Sequence, residues 1–298
     1  MTIRNLEIFV EVCRTMNMSQ AAESLMISQS SVSQAVLALE KEFQLPLFER
    51  LNHKLYLTPA GKKMIFLSRQ VLQSIRRLEK NMEEEVYQNP LRLGVCTTVG
   101  DGLVYPLIEK CQKKYGIQFL VEVNNSKYLE KEILNAKMDI AVVPASKTSP
   151  YLDYLPFLKD EMVLICWKGH ALEGKTVPLV MLEKEGFVAR EKGSGTERLL
   201  EQIFAESSLH LKKNWVCNNP VSVKEAVKHQ KGIALVSKYL VQNEIKEGLI
   251  GEIIPEEKLF IREFVLAWHK DKVPDENFQN FLKFCSNLGE QGIRNLFK

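Results

Sequence analysis

The alternation of apolar and polar positions between residues 18 and 57 predicts two short helices joined by a tight turn. In the second helix, apolar side chains recur three and four residues apart, the spacing of one buried helix face. They are Val32, Ala35, Val36, Leu39 and Phe43. The opposite face consists of Gln29, Ser30, Ser33, Gln34 and Leu37. A shorter helical pattern covers residues 21–25, and Ser28 lies at the N-cap position of the second helix. The pattern predicts a helix-turn-helix.

The flanking segments complete a small domain. An apolar stripe from Leu6 to Met16 predicts a first helix that packs against the other two. Pro46 is expected to end the third helix, and two extended segments on either side of residues 51–54 predict a hairpin, or wing. We therefore predict a winged helix-turn-helix domain over residues 1–60.

A long helix is predicted to follow. Thr58 can act as its N-cap, and Pro59 occupies the first helical position. Apolar residues then recur three or four residues apart as far as Met82. A helix of about 28 residues is roughly 40 Å long, at 1.5 Å per residue. It cannot bury its whole stripe against a 60-residue domain, so residues 61–88 are predicted to be a linker helix that pairs with a second copy. Packing against its own C-terminal domain is the alternative.

Strands and helices alternate through residues 89–298. Strand-like segments at 91–95, 119–123 and 140–143 are separated by helical ones, the order expected of parallel βαβ units. A second set runs from residue 162 to 236, and residues 264–268 and 278–288 are interpreted as a return to the first set. The pattern predicts an α/β domain of two lobes.

Composition excludes few classes of protein. The chain has 298 residues and a formal net charge of +3, and it carries neither a signal-like start nor an apolar run long enough for a membrane span, so we expect a cytoplasmic protein with no membrane partner. The six cysteines are scattered, without Cys-x-x-Cys, which argues against a disulfide framework and a zinc site. We expect no metal and no cofactor.

Small polar residues follow several predicted strands and precede helices. At such turns, unpaired backbone N–H groups and hydroxyls favour an anion. The alternative is that these residues are helix caps without a ligand. The turns are Thr97–Thr98, Asn125–Ser126, residues 193–196 and Asn218–Asn219. If several of them converge in one cleft, the ligand is negatively charged.

An enzyme or a cytosolic small-molecule-binding protein is the rival interpretation. Gly-x-Ser-x-Gly, His-Glu-x-x-His and Walker-type motifs are absent from the sequence. Cys96 and Cys217, close to the predicted cleft, are the candidate reactive thiols, although buried structural thiols are far commoner. We therefore expect no catalytic residues.

The N-terminal motifs, in their order, resemble those of LysR-type transcriptional regulators. They are Ser19-Gln20-Ala21-Ala22-Glu23-Ser24-Leu25, Ser28 to Gln34, Leu39-Glu40, Leu45 to Arg50 and Leu57 to Gly61. The resemblance implies a two-lobe effector domain of periplasmic-binding-protein type at 89–298. Lobe I would comprise residues 89–163 and 268–298 and lobe II residues 164–267, with crossings near Leu164 and Ala267. Ser30 stands at a position where the family often has proline, and Gln34 at one where it often has a basic residue.

The chemistry of DNA and the resemblance together assign candidate sites. Gln can pair with adenine and Ser with base edges or phosphates, while a wing can reach phosphates or the minor groove. Residues 1–61 carry five Lys/Arg and six Asp/Glu, 5 − 6 = −1, so this domain is not a basic patch. The DNA-binding candidates are Ser19, Gln29, Ser30, Ser31, Ser33, Gln34, Arg50, His53 and Lys54.

The effector-binding candidates lie at the polar turns of the C-terminal domain. They are Thr97, Thr98, Ser126, Ser194, Gly195, Thr196 and Asn218. The resemblance adds Pro144 and implies that Thr98, Ser126, Pro144 and residues 194–196 match positions that contact effectors in the family. Glu197 stands where one subset of the family often has arginine, which leaves Arg190 and Arg198 as candidate positive charges. The resemblance implies a regulator that binds double-stranded operator DNA and a small anionic metabolite. It also implies a homodimer or homotetramer and contact with RNA polymerase.

Overall fold

A computed structural model describes residues 1–51, 54–83, 90–101, 103–145, 149–256 and 260–295. The fold divides into two compact units. One comprises Met1–Asn89 with Leu134–Ala136, and the other comprises Pro90–Ile133 with Lys137–Lys298. Within the residues so described, no helix is both long and apolar enough to cross a lipid bilayer.

The first unit is a winged helix-turn-helix followed by a long helix, as predicted. Its elements are α1 (Ile3–Thr15), α2 (Met18–Ser24), α3 (Gln29–Phe43), β1 (Phe48–Leu51), β2 (Lys54–Leu57) and α4 (Pro59–Glu83). Ser28 caps α3 by accepting the backbone N–H of Ser31 at 3.1 Å. Thr58 precedes α4 and accepts the N–H of Gly61 at 2.9 Å. Local capping chemistry thus fixes where both helices begin.

The buried face of α3 is Val32, Ala35, Val36 and Leu39, as predicted. The prediction for Phe43 is wrong, because its side chain is 43% exposed. It is the last residue of α3, and Gln44 leaves the helix in a left-handed conformation with φ of 54°. The final turn therefore projects beyond the three-helix core, and the helix ends before Pro46 rather than at it.

The long helix α4 covers 25 residues, about 37 Å at 1.5 Å per residue. It contributes Leu72 to a cluster with Leu6 and Phe9 of α1. Val71 and Leu78, in contrast, are 45% and 62% exposed. The predicted continuation of this helix to residue 88 lies outside the described residues.

The second unit is a mixed α/β domain. Its strands are β3 (Leu91–Cys96), β4 (Phe119–Asn124), β5 (Ile140–Pro144), β6 (Leu152–Trp167), β7 (Thr176–Val177), β8 (Phe187–Arg190), β9 (Lys213–Cys217), β10 (Ala234–Ser237), β11 (Ile250–Pro255) and β12 (Phe260–His269). Its helices are α5 (Thr97–Gly100), α6 (Val104–Tyr115), α7 (Ser126–Leu134), α8 (Leu179–Leu182), α9 (Gly195–Glu206), α10 (Pro220–Lys228), α11 (Gln242–Lys246) and α12 (Glu276–Asn295), with a 3-10 turn at Lys238–Leu240.

Two long strands connect the halves of this domain. The main sheet has the order β4-β3-β5-β12-β6-β11-β7, with β10 also paired to β6, and β8 and β9 form a separate parallel pair. Parallel β3, β4 and β5 make the first lobe. The antiparallel pair β6 and β12 passes from there into the second lobe, where β6 meets β10 and β11.

The predicted crossings near Leu164 and Ala267 are both wrong. Leu164 already pairs with Leu235 of β10 and Ile253 of β11 in the second lobe, so β6 changes lobes before it, near Asp160. Ala267 pairs with Ala141 of β5, deep in the first lobe, whereas Phe260 pairs with Met162 at the edge of the second. The β12 strand therefore changes lobes near Arg262. The segment 264–268 is apolar throughout, so its sequence pattern does not show where β12 begins to pair with β5 in the first lobe.

Candidate functional site

A cavity of about 10 Å³ lies where the first and second lobes meet, with room for about one water molecule. Seven of the eight residues predicted to bind the effector lie in its wall. The wall consists of Cys96, Thr97, Thr98, Asn125, Ser126, Pro144, Ser194, Gly195, Thr196 and Arg262. The remaining candidate, Asn218, is not in this wall, and its carbonyl oxygen accepts an N–H of Arg190 at 3.2 Å.

Helix starts from both lobes face the cavity. Ser126 is the first residue of α7, and Ser194 caps α9 by accepting the N–H of Thr196 at 3.2 Å. Gly195 allows the lobes to approach closely, because a Cβ atom there would lie only 2.5 Å from Cγ of Pro144. A side chain at this position would force the two lobes apart.

Arg262 joins both lobes at the cavity and was missed by the sequence analysis. Its Nη2 donates to Oγ1 of Thr98 at 3.1 Å, and its Nη1 donates to Oγ1 of Thr196 at 2.9 Å. Its Nε donates to Oδ2 of Asp160 at 2.7 Å, while Ser237 donates to Oδ1 of the same carboxylate at 2.6 Å. Arg262 is 8% exposed and Asp160 is fully buried. Arg262 thus places a paired, buried positive charge in the cavity wall.

The cavity wall is rich in hydrogen-bond donors. Because the hydroxyl oxygens of Thr98 and Thr196 accept from Arg262, their hydrogens remain available to donate. Ser126 is 2% exposed, and its hydroxyl forms no hydrogen bond with any described residue. Arg262 has five N–H donors, of which three serve the bonds given above. Buried donors normally have acceptors, so this wall suits a ligand rich in oxygen atoms.

A second buried arginine links the lobes beside the cavity. Arg190 donates from Nη2 to Oγ1 of Thr97 at 3.0 Å and from Nε to Glu191 at 2.9 Å. Glu197 is buried but lies outside the cavity wall and pairs with Lys213 at 3.0 Å. The charge in the wall therefore comes from Arg262, rather than from Arg190 or Arg198.

The two candidate thiols are poorly suited to reactivity. Burial raises the pKa of the Cys96 thiol to about 11, although the nearby Arg262 charge opposes this effect. Burial also raises the pKa of the Cys217 thiol. Both groups are therefore protonated near neutral pH, whereas nucleophilic attack and metal binding need the thiolate. In the part of the chain that the structure describes, no cluster of three or more His, Cys, Asp and Glu is arranged to hold a metal ion.

The polar face of α3 in the first unit is exposed, apart from the half-buried Ser33. The Ser28 hydroxyl lies 2.8 Å from that of Ser30 and 2.7 Å from that of Ser31. Gln29 donates to the hydroxyl of Ser33 at 3.0 Å. These bonds hold the polar groups together at the start of α3.

The other DNA-binding candidates are spread around this helix. Ser19 on α2 and Gln34 on α3 are exposed, as are Arg50 on β1 and Lys54 on β2. His53 lies outside the described residues. The arrangement gives an exposed polar helix beside a hairpin that carries two cations.

Glu40, another residue that the sequence analysis did not assign, connects α3 to the wing. One of its carboxylate oxygens accepts the backbone N–H groups of Leu47 and Phe48 at 2.7 and 3.2 Å. Hydrogen bonds to a charged acceptor are stronger than neutral ones. Glu40 therefore fixes the start of β1 relative to α3.

Comparison with known proteins identifies both units. Residues 3–62 match the family described as bacterial regulatory helix-turn-helix protein, lysR family, and residues 84–289 match the LysR substrate binding domain. The chain therefore belongs to the LysR family of bacterial transcriptional regulators. It is a DNA-binding regulator with an effector-binding domain, as the sequence motifs predicted.

Individual relatives span most of the chain. The RuBisCO operon transcriptional regulator of Allochromatium vinosum is 30% identical, over 82% of each chain. CysL of Bacillus subtilis is 30% identical, over 80% of this chain and 82% of its own. Among solved structures, the CcmR regulatory domain of Synechocystis PCC6803 in complex with 2-PG is 26% identical, with a TM-score of 0.63, and the match covers 67% of this chain and 97% of that domain.

Proposed function

We propose that this regulator binds operator DNA through the exposed face of α3 and responds to a small anionic metabolite held between its two lobes. The proposal is supported by the hydrogen-bond donors in the cavity wall. The hydroxyls of Thr98, Ser126 and Thr196 and two of the five N–H groups of Arg262 are hydrogen-bond donors without acceptors among the described residues. An anion with several oxygen atoms supplies those acceptors. The CcmR domain in complex with 2-PG is a related regulatory domain with a ligand.

The proposed effector site consists of the seven predicted residues in the wall together with Arg262. Asn218 is proposed to act indirectly, since its carbonyl oxygen positions Arg190. The ligand binds without turnover, because the wall holds no activated nucleophile: the thiol of Cys96 is protonated near neutral pH. An enzyme would consume the ligand instead.

The proposed DNA contacts divide by chemistry. Gln29 and Gln34 can pair with adenine, and the serines at 19, 30, 31 and 33 can bond to base edges or phosphates. Arg50 and Lys54 of the wing are proposed to bind phosphates, with His53 between them in sequence. Because residues 1–61 carry a net charge of −1, each copy should show only a moderate dependence on salt.

Pairing of copies is supported by exposed apolar side chains. Val71 and Leu78 of α4 are 45% and 62% exposed, and Leu120 and Val123 on the edge strand β4 are 61% and 44% exposed. A homodimer would cover such surfaces and would place two recognition helices on a two-fold-related operator. Two dimers could form a homotetramer. We propose that this assembly acts in the cytoplasm together with RNA polymerase.

The proposed mechanism couples the cleft to the DNA. Because the cavity has room for only about one water molecule, the anion enters only when the lobes move apart. This movement alters the packing between copies, and the spacing of the recognition helices changes. The coupling cannot exceed the ligand's difference in affinity for the two arrangements.

The DNA assignment is tested by selecting binding sequences from a random DNA pool with the full-length protein. Gln34→Ala and Ser30→Ala are expected to alter the preferred bases, because each removes one group from the reading face. Gln202→Ala, an exposed glutamine on α9, is the matched control. Unchanged sequence preference in both reading-face variants would reject the assignment.

The ligand assignment is tested by thermal-shift screening of small anions. Ser126→Ala and Ser194→Ala should abolish the shifts seen with the parent, whereas Ser207→Ala, at the exposed end of α9, should retain them. Equal shifts in all four proteins would remove these residues from the site. Recovery of the ligand unchanged after incubation would separate a regulator from an enzyme.

A further inference from the structure

We infer that the cavity selects a singly charged anion, such as a carboxylate, over a doubly charged one, such as sulfate. This inference rests on the proposed function, because it narrows the anion that the cleft is proposed to bind. It follows from the charges that surround the cavity, from the helix starts that face it and from the donors in its wall.

The charged side chains around the cavity cancel. Arg262 is paired with the fully buried Asp160 at 2.7 Å, and Arg190 is paired with Glu191 at 2.9 Å. Glu197, which follows Thr196 and is 8% exposed, is paired with Lys213 at 3.0 Å, so three cations and three anions sum to zero. Glu201, the second carboxylate on Lys213, is 54% exposed, so solvent screens its charge. The positive charge of Arg262 in the cavity wall is thus already balanced by Asp160, which lies outside the wall.

Two helix starts supply the remaining positive potential. The helices α7, of nine residues, and α9, of twelve residues, both begin at the cavity wall. Each helix N-terminus is equivalent to roughly +0.5 of a charge, so together they contribute about +1. One negative charge is balanced by this potential. A second negative charge on the ligand would remain uncompensated. The site is buried, as the 8% exposure of Arg262 shows, and an uncompensated buried charge is strongly unfavourable.

The nearest lysines do not change this sum. Lys127 and Lys192, at the two turns, are exposed, so water and salt screen their charges. The exposed carboxylates of the domain are screened in the same way.

The donors in the wall point to a ligand independently of the helix starts. Ser126 is 2% exposed as a residue, its side chain lines the cavity, and its hydroxyl forms no hydrogen bond with a described residue. The hydroxyls of Thr98 and Thr196 have hydrogens to donate, and Arg262 has two N–H groups left. These donors are comparable in number to the roughly four lone-pair sites of one carboxylate.

The test uses probes matched in shape and different in charge. Methanesulfonate and sulfate are both tetrahedral and carry one and two negative charges, whereas acetate and acetamide are both planar and carry one and none. Each is added at millimolar concentration and constant ionic strength to the full-length protein. Its thermal shift is referenced to that of Ser126→Ala, so that general salt effects cancel.

Acetate and methanesulfonate are expected to stabilise the parent relative to Ser126→Ala, and sulfate and acetamide are not. A larger site-specific shift with sulfate than with methanesulfonate would overturn the charge selection while leaving an anionic effector intact. Equal shifts with acetamide and acetate, or no site-specific shift with any probe, would overturn the anionic effector itself. The two failures are therefore distinguishable.

Asp160→Asn tests the origin of the selection. Removing this charge should strengthen sulfate binding by about tenfold or more, the order expected for a like charge removed within several ångströms in a partly buried site. If Asp160→Asn does not fold, Glu191→Gln serves instead, because it removes the carboxylate that balances the charge of Arg190. Glu191 is 21% exposed, so a smaller gain in sulfate affinity is expected. If the variant that folds still prefers methanesulfonate to sulfate as strongly as the parent does, these carboxylates do not determine the charge selection.

Discussion

The buried pair formed by Arg262 and Asp160 should contribute strongly to the stability of the second unit. Arg262→Met removes the guanidinium and with it the three hydrogen bonds to Asp160, Thr98 and Thr196. Asp160 is fully buried and would keep only the bond from Ser237. Breaking a buried pair from one side typically costs about 3–5 kcal/mol, because the remaining charge is uncompensated. We expect a loss of this size in the free energy of unfolding.

Tryptophan fluorescence during urea unfolding measures this loss selectively. All three tryptophans of the chain, Trp167, Trp215 and Trp268, lie in the second unit. The double variant Arg262→Met, Asp160→Asn should recover about half of the loss or more, because no unpaired charge remains.

A surface pair beside this site provides the control. Lys238 and Glu161 form an ion pair of 2.7 Å whose side chains are 45% and 37% exposed. Lys238→Met should therefore cost about 1 kcal/mol or less. If Arg262→Met costs no more than Lys238→Met, the buried pair is not the anchor that the structure indicates.

Three further predictions follow from other contacts. Gly195→Ala places a methyl group 2.5 Å from Pro144 and should weaken acetate binding by about tenfold, measured by calorimetric titration, because the methyl group overpacks the cavity wall and occupies space that the ligand needs. Asp139→Asn should destabilise the second unit at pH 7 by about 3 kcal/mol, measured by tryptophan fluorescence, because it removes the buried carboxylate that pairs with Arg92 and Lys272. Glu40→Ala should weaken operator binding by roughly tenfold in fluorescence anisotropy, because it frees the start of the wing.

The Asp139 prediction has a defined dependence on pH. Burial alone would raise the pKa of Asp139, but hydrogen bonds from Arg92 and the charges of Arg92 and Lys272 outweigh it and hold that pKa well below its usual range. The stabilisation is therefore complete above about pH 5, and it is lost as the pH falls through the usual range and towards the lowered pKa. Asp139→Asn and the parent should therefore converge in stability as the pH falls towards the lowered pKa.

Each of the other two predictions has an outcome that contradicts it. Acetate affinity unchanged in Gly195→Ala would mean that the approach of Gly195 to Pro144 does not limit the cleft. For the wing, the control is Glu23→Ala, an exposed glutamate on α2. Equal operator affinities in Glu23→Ala and Glu40→Ala would show that the bonds from Glu40 do not position the wing.

The first unit could be predicted largely from local signals. The caps at Ser28 and Thr58 and the buried face of α3 depend on residues a few positions apart, and these neighbours determine where a helix begins and which face it buries. Phe43 was predicted wrongly because periodicity does not show where the neighbouring helices stop. Exposure of the last turn is a property of packing between helices.

The effector cavity could be predicted only in part. Ser126, Ser194 and Thr196 were found because each belongs to a polar turn after a strand, and such turns collect at one end of parallel strands. Arg262 was missed, since it lies in the middle of a strand and its partner Asp160 is 102 residues away. Contacts of that separation depend on strand register, and no local pattern encodes it.

The central claim is that an anion in the cleft controls the binding of DNA by the first unit. The most direct test measures the affinity and the footprint of the full-length protein on selected operator DNA, with and without the monoanion that gives the largest thermal shift. We expect a change of about 5- to 150-fold in affinity, or a shifted footprint, in the parent and not in Ser126→Ala. The same affinity and footprint with and without a bound anion in the parent would contradict it.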